Sequence, residues 1–240
     1  MLPTIESQPQ LERLIQQYGV LPFFESPIDG FSIWQHTPEE LQFSDEIDGP
    51  WEWKGPICRN QQCAYGKFFA DKAGFVSLDI FKLFAAYRRS KYQLNTDEQR
   101  ILNVVIEHES MLTSEIRKAC GYKRSYGKRR QPSAFDILTK DTPVKAPKTE
   151  KQHAESFDKI MTRLQMGAYL IIADFEYKYR HDGTRYGWGL ARFTTPEALF
   201  DTLFDGIDDI NPEDAHRELA EHLHKRLPFA SDKQIEQLIG

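Results

Sequence analysis

An α+β fold, mostly helical, is what this sequence of 240 residues predicts, and three observations carry the expectation. Apolar residues recur at helical spacing from Ile101 to Ala119 and again from Phe157 to Leu164. At Tyr169 the period changes to two: Tyr169, Ile171, Ala173, Phe175, Tyr177 and Tyr179 line one face, and Asp174, Glu176, Lys178 and Arg180 the other. Asp182-Gly183 is a tight-turn signal, and the alternating run from Arg185 to Phe193, with Tyr186, Trp188 and Leu190 on one side, returns the chain. Helix, helix, helix and hairpin, in that order over residues 96–195, is the order of a winged helix-turn-helix with a β-hairpin wing. A mixed α/β region at 1–95 and C-terminal helices at 196–240 flank it.

From the N-terminus, Pro9 to Tyr18 reads as an amphipathic helix with Leu11, Leu14 and Ile15 inward and Gly19 at its end. The apolar run Val20 to Phe24 follows, and Pro, Gly, Asp and Glu predict irregular backbone from Glu25 to Gly55. An extended segment there puts Trp51 and Trp53 on one face, with Glu52 and Lys54 on the other. Ala64–Phe69 and Lys72–Val76 form a strand pair. Ser77 caps a helix to about Ser90 with Ile80, Phe81, Leu83, Phe84 and Tyr87 buried, while Arg88, Arg89 and Lys91 suit the dipole at its end.

Thr96-Asp97-Glu98-Gln99 opens the first helix of the winged region through a Thr96 capping box. After a break at Ser110–Leu112, Thr113 or Ser114 caps a second helix ended by Gly121. The third helix begins after Ser156 and stops at Gly167, with Lys159, Thr162, Arg163 and Gln165 facing outward. Thr195-Pro196 starts a helix to about Phe204. Asn211 starts another with Ala215, Leu219, Leu223 and Leu227 inward, and Ser231 caps the last, which holds Ile235 and Leu238. No internal repeat is visible.

The net charge is −5, but its distribution matters more than its sum. Between Arg117 and Lys151, eleven Lys and Arg face Asp136, Asp141 and Glu150, a local +8 that leaves −13 on the remainder. The core of that band is a basic insertion at 121–155. No run of eighteen apolar residues and no secretory leader is present, so a cytoplasmic protein without membrane contact is expected. Three cysteines, Cys58, Cys63 and Cys120, argue against a disulfide scaffold. Neither glycine stretch near Gly66 and Gly74 has the spacing of a phosphate-binding loop, and no metal or cofactor is expected.

Three functions fit these residues. The first is duplex DNA binding by Lys159, Arg163 and Gln165 of the third helix, Arg180, His181 and Arg185 of the wing, and Lys123, Arg124, Lys128, Arg129 and Arg130 of the insertion; Arg163 and Gln165 carry donors suited to base edges. The second is a base-excising hydrolase in which Trp51 and Trp53 stack on a base and Asp45, Asp48 or Glu52 activates water; the same tryptophans also suit a packed aromatic pair. The third is a protein-interaction module, which neutralisation of Arg163, Arg180 and Arg185 by local acids favours.

The segments Leu164-Gln165-Met166-Gly167-Ala168-Tyr169-Leu170, Asn211-Pro212-Glu213-Asp214-Ala215-His216-Arg217-Glu218-Leu219-Ala220 and Pro228-Phe229-Ala230-Ser231 resemble bacterial winged-helix DNA glycosylases of the AlkZ type. Asp48-Gly49-Pro50-Trp51-Glu52-Trp53-Lys54 with Cys63-Ala64-Tyr65-Gly66-Lys67-Phe68-Phe69 is similar to a shorter, AlkZ-related group, and the likeness covers residues 20–240. The resemblance implies tandem winged helices, binding to damaged duplex DNA and a link to DNA repair. Larger members use a Gln-x-Asp or Gln-x-Gln motif. No Gln-x-Asp occurs here, and Gln8-Pro9-Gln10 matches Gln-x-Gln only in letters and is expected to precede the first helix, so no catalytic residue is carried over.

Overall fold

The computed structural model describes residues 2–44, 46–122, 155–183 and 185–240. It is α+β and about half helical, with two small antiparallel three-stranded sheets among the described residues. Asp45, Lys123, Arg124, Lys128, Arg129, Arg130 and nearly all of the basic insertion lie outside these residues, as do the side chains of Tyr186 and Trp188.

The chain begins with α1 (Gln8–Tyr18) and β1 (Val20–Pro22), passes two 3-10 turns at Trp34–His36 and Glu39–Leu41, and continues with α2 (Pro50–Arg59), β2 (Cys63–Phe69) and β3 (Lys72–Ser77). After α3 (Leu78–Lys91) come α4 (Thr96–His108), β4 (Ser110–Leu112), α5 (Thr113–Ala119), α6 (Phe157–Met166), β5 (Ile171–Tyr179) and β6 (Arg185–Thr194). The C-terminal part holds α7 (Pro196–Phe200), α8 (Pro212–Arg226) and α9 (Asp232–Ile239).

The strand order is β1-β3-β2 in one sheet and β4-β6-β5 in the other. Each sheet therefore comprises a short strand after a helix and a later hairpin, with the returning strand in the centre. A helix precedes each hairpin. This is a repeat of topology that no repeat of residue type in the sequence announces. The two halves pack reciprocally: α2 lies against β5, and α6 against β2. Their buried side chains form one continuous cluster from Leu2 to Ile239, and removing that apolar surface from water is the main stabilising contribution.

Several expectations change. The segment around Trp51 and Trp53 is helical, not extended, because Pro50 occupies the first turn and Glu52 Oε2 accepts from the Gly49 amide at 3.2 Å. At two residues apart on a helix, the tryptophans point to different sides. A side chain at Gly49 would collide with the Leu41 carbonyl oxygen, so glycine is what lets the loop before α2 close. Asn95, not Thr96, caps α4: its Oδ1 accepts from the Glu98 amide and Glu98 Oε2 accepts from the Asn95 amide, both at 2.9 Å. Ser110–Leu112 is no break but a strand paired with Arg192–Thr194. Gln8 and Gln10 sit inside the first turn of α1, and α7 ends at Phe200, with a 3-10 turn at 201–204.

Arg88 is a further correction. Instead of serving the dipole at the surface, it is buried; Nη2 donates to the Phe68 carbonyl at 2.8 Å and the Leu238 carbonyl at 3.3 Å. Its guanidinium lies over the Phe84 and Tyr92 rings, so one side chain joins α3, β2 and the last helix.

Candidate nucleic-acid interface

The β5–β6 hairpin and the start of α2 meet along a line of charged and aromatic side chains. Arg185 Nη2 donates to Asp48 Oδ1 at 2.8 Å and stands 3.8 Å from Glu52 Oε1. Its guanidinium also lies 4.6 Å from the centre of the Tyr177 ring. Partial desolvation lowers the Arg185 pKa, but the bond and charge of Asp48, with Glu52 and Tyr177 behind them, leave it raised. The Tyr177 hydroxyl is buried without a hydrogen-bond partner among the described residues, and its pKa is raised by desolvation first and then by Glu52. Beneath them, Arg59 Nη1 meets Asp174 Oδ1 at 2.5 Å, a second ion pair from α2 to β5.

Lys54 is the least expected member. It is 2% exposed, with Nζ 2.9 Å from the Trp51 ring centre and 4.4 Å from that of Phe175. Burial lowers its pKa from 10.5 to about 7, against the opposing pull of Glu52 and Cys58. A period-two reading sends this lysine to the solvent; helical spacing places it one turn from Trp51, against β5. The Trp51 ring is further occupied by Phe23 and Phe43, at 5.8 and 5.2 Å between centroids, and Trp53 packs against the core. The two base-stacking candidates are thus core-packing residues here, whereas Asp48 and Glu52 do converge beside the hairpin.

The third-helix candidates are differently placed. Gln165 is 2% exposed: Oε1 accepts from the Lys67 amide at 3.2 Å and Nε2 donates to the Met161 carbonyl at 2.9 Å. The expected outward orientation of Gln165 is overturned, because residues 161 and 165 share one helical line and that line faces β2. Arg163 Nε meets Glu98 Oε1 at 2.6 Å, and Glu98 is 1% exposed. Lys159 pairs with Glu155 at 2.6 Å. Thr162 Oγ1 accepts from Lys67 Nζ at 3.2 Å. Among the described candidates, Lys159 and the hairpin tip, with Arg180, His181 and Arg185, are exposed as the sequence suggested.

The cysteines are buried and their thiols raised, Cys58 well above 9.0 and Cys63 to about 12, desolvation being the largest cause in each. Among the described residues no group of three or more His, Cys, Asp and Glu is placed to hold a metal ion, and no helix is long and apolar enough to cross a membrane.

The family model described as AlkZ related matches residues 5–240. The chain belongs to the AlkZ-related family. No curated protein and no solved structure gives a significant match. The resemblance read from the Asp48–Lys54 and Cys63–Phe69 segments is borne out, and both segments of this AlkZ-related chain lie at the contact between its two halves, one running from the preceding loop into α2 and the other forming β2.

Proposed function

We propose that this AlkZ-related protein is a winged-helix DNA-binding protein linked to DNA repair, acting in the cytoplasm, and that it contacts duplex DNA through the β5–β6 hairpin and the basic 121–155 insertion. The order α4, β4, α5, α6, β5, β6, with β6 central, supports the winged-helix reading. The observation that carries the proposal is the hairpin tip, where Arg180, His181 and Arg185 stand exposed. Because α6 lies against β2, phosphate contacts from the hairpin and insertion supply the affinity, and such contacts position a protein on DNA without reading its sequence.

The test is titration of labelled duplex at about 50 and 200 mM salt, repeated with Arg180 and Arg185 both changed to Ala and with Lys123, Arg124, Lys128, Arg129 and Arg130 changed to Gln. Affinity falls steeply with salt, and each variant flattens that slope. Undetectable or salt-insensitive binding by the unaltered protein removes the proposal. A second reading, hydrolysis of an N-glycosidic bond, is favoured by the convergence of Asp48 and Glu52 beside the hairpin; release of a damaged base that is lost in Asp48→Asn and Glu52→Gln would establish it.

A further inference from the structure

We propose that the hairpin carries a nucleotide platform in which Tyr179 stacks on an unpaired base while Arg185 takes an adjacent phosphate, so that the preferred partner is DNA with a locally opened or extruded nucleotide. This rests on the DNA-binding reading above and adds to it the state of the DNA. Phe175, Tyr177 and Tyr179 follow one another at the two-residue spacing that places side chains on one face of a strand. Phe175 is buried against Lys54, Tyr177 is half-buried under Arg185, and Tyr179, at 63%, is the most exposed large hydrophobic side chain among the described residues. The aromatic line therefore emerges from the contact between the two halves and ends in a bare ring.

Two further features favour a nucleotide as its occupant. Tyr179 lies directly opposite Arg185 in the β5–β6 register, so ring and guanidinium share a face at about 5 Å between Cβ atoms. They are adjacent, as a base and its phosphate are adjacent in one nucleotide. The Tyr177 ring in turn lies on the backbone of Gly189, where a Cβ would come within 2.8 Å of Tyr177 Cζ; glycine keeps this face flat. Inside an intact duplex both faces of each base are covered by neighbours, so a ring at a hairpin tip finds a free face only where a base is unpaired. Opening costs least at a mismatch or lesion. An aromatic ring beside cations is the combination that binds single-stranded nucleic acid without sequence preference.

The test compares binding of an intact duplex, the same duplex with a central unpaired bubble, and a single strand, using the full chain, Tyr179→Ala, Tyr179→Phe and Arg185→Ala, each confirmed folded by circular dichroism. The bubble binds about tenfold more tightly than the duplex. Tyr179→Ala abolishes that ratio and keeps the duplex affinity, Tyr179→Phe keeps the ratio, and Arg185→Ala weakens binding to every probe. Equal binding of bubble and duplex by the unaltered protein, or an unchanged ratio in Tyr179→Ala, overturns the platform and leaves the DNA-binding reading standing. Absence of binding to all three probes overturns both.

Discussion

Arg185 on the hairpin and Asp48 in the loop before α2, 137 residues apart, are joined by a 2.8 Å hydrogen bond. The Arg185 guanidinium is thus held by a carboxylate that occupies the fork of donors a phosphate would take. On the proposed reading, Asp48 and DNA compete for Arg185, and the contact between the halves sets the charge that the hairpin tip presents.

Asp48→Asn removes that competitor. The pair is near the surface, with the Asp48 side chain 63% exposed, and such pairs contribute at most about 1 kcal/mol. The expected gain in duplex affinity is therefore about threefold to fivefold at low salt, fading as salt rises. In an Arg185→Ala background the same substitution gains less; an equal gain in both backgrounds would show a general effect of surface charge and no competition.

Arg163→Ala and Gln165→Ala test stability more than recognition. Removing Arg163 leaves the buried Glu98 carboxylate without its cation, at a cost of about 2 kcal/mol given that Arg163 itself is partly exposed. Removing Gln165 strips the acceptor from the Lys67 amide and costs about 1–3 kcal/mol. Urea titrations read both costs. Affinity per folded molecule is unchanged for Gln165→Ala, and a large loss of affinity in a fully folded variant would return Gln165 to the DNA interface.

Lys54→Met changes the pH dependence of stability. Lys54 has its pKa lowered from 10.5 to about 7 in the folded chain, so between those values the unfolded chain carries a proton that the folded one lacks, and stability climbs with pH through that window. Above pH 10.5 both forms are neutral. Below about pH 7 the penalty is fully present. The displacement amounts to at most about 5 kcal/mol, and contacts with two rings return about 2 kcal/mol. Lys54→Met therefore stabilises the chain by about 1–3 kcal/mol at pH 7, and its profile from pH 7 to 9.5 is flatter than that of the unaltered protein. Parallel profiles in urea denaturation would refute this.

Arg88→Ala opens the joint between α3, β2 and α9. Two carbonyls lose their donor and a buried side chain leaves a cavity, together about 3 kcal/mol. Hydrogen exchange over Asp232–Ile239 accelerates more than exchange over Ile101–Val105, because α9 loses its tether to the first half while α4 does not.

Much of the architecture was legible in the sequence. The helices at 8–18, 78–91, 157–166 and 212–226 and the hairpin at 171–194 follow from apolar period, caps and the Asp182-Gly183 turn, all local signals. Ser110–Leu112 was not legible as a strand, since three residues carry too little pattern and the partner, Arg192–Thr194, is eighty residues away. The Pro50–Arg59 helix was misread because the alternation of Trp51 and Trp53 outweighed Pro50 and the Glu52 cap.

The chain by itself determined most of the helices, the long hairpin, the charge of the hairpin tip, and family membership through its segments around Trp51 and Cys63, because these depend on neighbours in sequence. Only the tertiary structure decided which polar side chains are committed to partners within the protein. Gln165, Arg163, Lys54 and Arg88 each satisfy helical polarity rules, yet each is committed by the element that packs over it: β2 against α6, Glu98 of α4, Phe175 of β5, and α9. Burial is set by contacts between residues far apart in the chain, and no local pattern records which face a distant element will cover.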